Sequence, residues 1–128
     1  MAGPEGAPRS SAGKQVIESY GGGGFRIAGV RHSGSVLVFP DHTVAWPVGD
    51  AADVSADRLA EVVRRAESVR ILIVGCGRAI TRQPMELTLE LRAAGMGLEW
   101  MNTGAACRTF NVLLLEDREV AAALIAID

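Results

Sequence analysis

The stretch "RILIVG" at residues 70–75 constrains this chain more than any other. Four consecutive large aliphatic residues leave neither face of a strand for water, so the segment belongs inside a sheet covered on both sides. A covered strand requires layers, and the rest of the sequence must supply them. Before residue 50 the runs "QVIESY", "GFRIAGV", "GSVLVFP" and "TVAWPV" are short, β-prone and separated by Gly, Pro, Asp and Ser, the signature of antiparallel strands and hairpins. After residue 50 helical and strand patterns alternate, as crossover connections on a partly parallel sheet require. The fold class read from this order is α/β.

Three helices are expected. The first opens at Ser55 and sets Leu59, Val62, Val63 and Ala66 on one face, with Arg58, Glu61, Arg64 and Arg65 toward water. The second lies in "PMELTLELRAAG", where Met85, Leu87, Leu89 and Leu91 alternate like a strand, yet the helix-forming composition, Pro84 at the start and Gly95 at the exit favour a helix. "GLEWM" at 97–101 then forms a strand parallel to 70–75. The third helix is capped by Asn102 or Thr103 and carries Ala106, Phe110, Leu113 and Leu114 inward, with Cys107 at the edge of the stripe. "EVAAALIAI" has no polar face and is expected to be a last strand closing the sheet. Leu72, Val74, Phe110 and Leu114 are expected to share one apolar cluster.

The chain's 128 residues, 48% of them hydrophobic, suffice for one domain, residues 15–128, preceded by a disordered tail over 1–14. A net charge of −2 argues against nucleic-acid partners, which require a basic face. Apolar runs fall far short of the roughly 20 residues that cross a bilayer, so no direct membrane insertion is expected. Two cysteines without a secretory leader suggest a reducing, cytoplasmic setting. His32 and His42 have no partner at metal-ligand spacing, so no metal is expected.

Two chemical readings meet at the carboxyl ends of strands 70–75 and 97–101. "VGCGRA" has Gly75 and Gly77 after a strand, but Ile80 replaces the third glycine of a dinucleotide turn, and no cofactor is expected. The other reading is a cleft for a small molecule or anion, built from Cys76, Gly77, Arg78, Arg82, Thr103, Gly104, Ala105, Ala106, Cys107, Arg108 and Asn111. Free amides at a helix start and nearby arginines suit a phosphate or carboxylate. Cys107 beside Arg108 in the first helical turns has a setting that lowers a thiol's pKa, but no histidine is placed as its base. Packing is the preferred role for both thiols, which are expected along the same edge of the sheet.

The order "IESYGGGGFRIAG", "GSVLVFP", "ILIVGCG" and then Thr103 to Ile125, "TGAACRTFNVLLLEDREVAAALI", resembles the Mth-domain family. That family includes an adipogenesis-associated protein and a mitochondrial complex I assembly factor. The resemblance runs from about Val16 to Ile127, and Cys76 departs from the Thr it leads one to expect. It implies a three-layer Mth-like fold with a central mixed five-stranded sheet, its last strand antiparallel, helices, and an additional N-terminal β layer. It also implies a bacterial-type, non-catalytic accessory domain that binds a protein, either a membrane-complex subunit or another assembly factor. No catalytic residue comes with the resemblance.

Overall fold

A computed structural model describes residues 13–128. An antiparallel meander comes first, formed by β1 (Ile17–Gly21), β2 (Gly24–Ile27) and β3 (Val30–Ser33). The run "GFRIAGV" therefore divides between two strands. Ala28 and Gly29 take φ of 49° and 80° and form the two-residue loop that joins β2 to β3, matching the right-handed twist of the hairpin.

Five further strands make the central sheet: β4 (Val36–Val38), β5 (Thr43–Ala45), β6 (Ile71–Gly75), β7 (Gly97–Met101) and β8 (Val120–Leu124), in the order β5-β4-β8-β6-β7. Three helices, α1 (Ala60–Val63), α2 (Met85–Ala93) and α3 (Thr103–Leu115), complete the fold. β6 pairs in parallel with both β7 and β8, whereas β4 pairs antiparallel with β8 and β5. The sheet is mixed and five-stranded, but two expectations about β8 are corrected. It runs parallel to β6, and it occupies the middle of the sheet instead of its edge. All five of its residues are buried, and a strand with no polar face is stable only where both faces of the sheet are covered.

Alternation along the strands divides the core in two. Leu72 and Val74 join Phe39, Trp46, Leu59, Val62, Leu87, Leu91 and Trp100 on the face covered by α1 and α2. Ile73 and Ala122 join Phe25, Ile27, Phe110 and Leu114 on the face covered by α3 and the β1–β3 meander. The single cluster expected for Leu72, Val74, Phe110 and Leu114 is therefore two clusters on opposite sides, because successive strand residues point to opposite faces. It is Ile73 that meets Phe110.

The helix expected from Ser55 is also shorter than its pattern. A 3-10 turn covers Asp57–Leu59 and α1 holds only one turn after it. The Trp46 indole donates to the Arg58 carbonyl at 2.7 Å, and beyond Val63 the chain continues in i→i+3 turns, Arg65 to Val62 and Ala66 to Val63. α2 and α3 form as expected. Pro84 precedes α2, Gly95 leaves it with φ of 90°, and Asn102 caps α3. The expected tail, residues 1–14, lies outside the described residues except for Gly13 and Lys14. Lys14 is packed against the protein: its ammonium donates to the Leu114 carbonyl at 3.1 Å and pairs with Asp117, placing a cation at the carboxyl end of α3.

Candidate functional site

At the carboxyl ends of β6 and β7 the chain turns twice through one hydrogen-bonded knot. Thr103, fully buried, receives the Gly77 amide on its hydroxyl at 3.0 Å and donates that hydroxyl to the Ile125 carbonyl at 2.8 Å. Its own amide donates to the Gly77 carbonyl at 2.8 Å, and the Ile125 amide donates to the Gly75 carbonyl at 2.9 Å. One threonine thus ties together the loop after β6, the start of α3 and the residue after β8.

Gly75 allows that closeness. A Cβ there would stand 2.9 Å from the Thr103 Cα and 3.1 Å from both Ala106 Cβ and Leu124 Cδ2. Glycine is the residue that lets the backbone of α3 approach the strand end.

Two of the amides expected to hold an anion, those of Ala105 and Ala106, are engaged within the protein. The Asn102 side chain accepts from the Ala105 amide at 2.8 Å, and the Asn102 carbonyl accepts from the Ala106 amide at 2.9 Å. Gly104 is covered by Tyr20, whose hydroxyl would lie 2.6 Å from a Cβ added at that glycine. Arg78 donates to the Asp128 backbone oxygen at 3.0 Å, while Arg82 and Arg108 are exposed. Arg82 flanks Asp50, Ala51 and Thr81 along a separate surface hollow. The expected cleft residues are neighbours in part, but their polar groups do not converge on an open cradle.

Asn111 has another role. Its side-chain amide donates to the Ile17 carbonyl at 2.8 Å, and its side-chain oxygen accepts from the Ile17 amide at 2.9 Å. It imitates a neighbouring strand and fastens β1 to α3.

Both thiols follow the carboxyl ends of their strands, but they pack on opposite faces of the sheet. Cys76 belongs to the Trp100 side and Cys107 to the Phe110 side, and both are free and buried. The Cys76 sulfur accepts from the Thr81 amide at 3.4 Å and contacts the Ala79 carbonyl oxygen at 3.6 Å. Burial pushes the Cys107 thiol up to about 12, against a smaller opposing pull from Arg108. Desolvation of the thiolate outweighs the helix terminus and the arginine, so Cys107 is a poor nucleophile at neutral pH.

Two further features lie outside the expected cleft. Phe39 stacks on His42 with ring centroids 4.7 Å apart, and the Arg65 guanidinium lies 4.9 Å from the Phe39 centroid. Nothing local in the sequence announces that cluster. The second is an apolar exposure around α2, where Ile80, Met85 and Leu89 are each more than half exposed, at 65%, 71% and 52%. Its signal was present in the alternation of Met85, Leu87, Leu89 and Leu91. On a helix that spacing gives two apolar faces, one buried by Leu87 and Leu91 and one left open.

Residues 17–125 match the family described as "Protein of unknown function (DUF498/DUF598)". An uncharacterised protein of Rhodobacter capsulatus is 40% identical over 93% of this chain and 92% of its own length. NADH dehydrogenase [ubiquinone] 1 alpha subcomplex assembly factor 3 is 35% identical in Xenopus tropicalis and 33% identical in Homo sapiens, in each case over 91% of this chain. The chain spans 64% of the length of those two assembly factors. Among solved structures, a Bartonella henselae protein described as an outer membrane protein superposes with a TM-score of 0.83 at 37% identity, covering 91% of this chain and 98% of that one. A Bordetella pertussis protein described as a Mth938-like domain gives 0.77 at 29% identity, covering 98% and 92%. Among the described residues no helix is long and apolar enough to cross a membrane. The chain belongs to the DUF498/DUF598 family and has the Mth938-like α/β fold.

Proposed function

We propose that this chain is a protein-binding factor in the assembly of respiratory complex I, acting without catalysis of its own. The observation that carries the reading is the match, over 91% of this chain, to proteins named as complex I assembly factor 3. The geometry at the strand ends supports it. The Thr103 hydroxyl and the Ala105 and Ala106 amides are engaged internally, and the Cys107 thiol is held neutral. The partner is a subunit of the membrane complex or another assembly factor, met on the cytoplasmic side. Disrupting the gene in its source organism should lower the amount of complex I on native gels together with NADH-driven ubiquinone reduction, and restoring the gene should return both. Unchanged complex I in the disrupted strain would refute the reading.

A further inference from the structure

The two edges of the central sheet differ. β5 has three residues, with Pro40 and Pro47 close to its ends, and short strands and prolines are devices that discourage further pairing. β7, at the other edge, has five residues and neither proline nor lysine. Its register with β6 runs from Ile71↔Gly97 to Gly75↔Met101, with the Gly97 amide donating to the Arg70 carbonyl and the Met101 carbonyl accepting from the Cys76 amide. In a parallel ladder alternate residues turn both backbone groups to the same neighbour. Gly97, Glu99 and Met101 therefore face β6, and the amides and carbonyls of Leu98 and Trp100 point outward. Among the described residues nothing bonds to them.

We propose that this open edge of β7 is the docking surface of the protein, and that its occupant is an extended segment of a partner protein with a basic side chain opposite Glu99. The proposal rests on the protein-binding reading above and names its surface. An extended backbone is the ligand that satisfies outward amides and carbonyls two residues apart. α2 packs on β7 with Leu87 and Leu91 buried, while the exposed Met85 and Leu89 lie on its opposite face and take no part in the edge. Glu99 selects among occupants. It is exposed and has no ion-pair partner among the described residues. A second copy pairing antiparallel through Leu98 and Trp100 would set Glu99 directly opposite its symmetry mate, and like charges so placed are destabilising. A lysine or arginine at that place is stabilising.

The test uses the intact protein and an end-capped peptide, Thr-Val-Lys-Val-Thr, with a counterpart carrying Glu in place of Lys. In the free protein the Leu98 and Trp100 amides should exchange with solvent faster than those of Glu99 and Met101. The lysine peptide should shift resonances along 97–101 and, at about twice its dissociation constant, slow exchange at Leu98 and Trp100 about threefold. The glutamate peptide should bind more weakly, and Glu99→Lys should reverse the preference. Leu98→Pro removes an outward amide that the β6 ladder does not use and should abolish binding. Glu99→Lys keeps the test alive if the proline variant does not fold.

Absence of binding by the lysine peptide, shifts elsewhere, or equal response to both peptides would overturn the proposal. So would protection of Leu98 and Trp100 that deepens with protein concentration, which would make the occupant a second copy. In the disrupted strain, a folded Leu98→Pro protein that restores complex I would refute the edge as the docking surface and leave the assembly reading standing. An intact complex I without the gene would refute the assembly reading, and the peptide arm would still decide the edge.

Discussion

Removing the Asn111 side chain tests whether β1 is held by one bracket. Asn111→Ala deletes a donor and an acceptor at 2.8 and 2.9 Å and leaves the amide and carbonyl of Ile17, a residue 5% exposed, without partners. An unsatisfied buried backbone group costs about 1–3 kcal/mol, and partial access to water at this site places the sum at about 2–4 kcal/mol. With a urea slope of about 2 kcal/mol per molar, the unfolding midpoint should fall by about 1–2 M. Native-state hydrogen exchange should show the Ile17 amide losing protection ahead of those in β6. Asn111→Asp sharpens the test because it keeps the acceptor and replaces the donor by a carboxylate facing the Ile17 carbonyl. With no donor to offer the Ile17 carbonyl, a carboxylate at this position should make the protein less stable than the parent at pH 7. A loss below about 0.5 kcal/mol for the alanine variant, within the range of ordinary surface changes, would refute the bracket.

Phe110→Ala, at a fully buried site, should cost about 3–5 kcal/mol in denaturant unfolding, and a loss below about 1 kcal/mol would mean that α3 does not pack through this residue. Gly75→Ala should destabilise by about 1–3 kcal/mol on thermal or urea unfolding, since the new methyl meets the α3 backbone at 2.9 Å; a neutral result would show that α3 can retreat freely. Alkylation of Cys107 in the native protein at neutral pH should be far slower than that of a free thiol. Its pKa is raised on folding, so the associated stability is complete below the unfolded value near 9.0 and is lost as pH rises toward about 12. Equal unfolding midpoints at pH 8 and pH 10.5 for the parent and Cys107→Ser would contradict that assignment.

What the sequence discloses here is local, and what it conceals is pairing at a distance. β6 and α3 are legible because their periods leave no alternative, and Asn102 is legible as a cap because it acts on Ala105 three residues away. The bracket between Asn111 and Ile17 joins residues 94 apart, and nothing in either neighbourhood requires the other. The separation of Leu72 and Val74 from Phe110 depends on which strand parity α3 covers, a choice that apolarity alone does not make. α1 stops at one turn, followed by i→i+3 bonds from Arg65 to Val62 and from Ala66 to Val63, and the Trp46 indole, twelve residues before Arg58, bonds that residue's carbonyl. Among the candidate site residues, identity and placement at the strand ends were readable. Whether their polar groups were free was not, since their partners Ile125 and Asp128 come from another part of the chain.

The central place of β8 sets an order on biosynthesis. β4 and β5 form one half of the sheet and β6 and β7 the other, and within the sheet only β8 joins them. A ribosome must therefore carry synthesis through residue 124 before the halves can become one sheet. Until then the nascent chain presents two open sheet edges and an uncovered apolar layer. Such late, long-range closure slows folding and prolongs exposure to aggregation. A chain interrupted before Val120 would lack the strand on which both halves of the core depend.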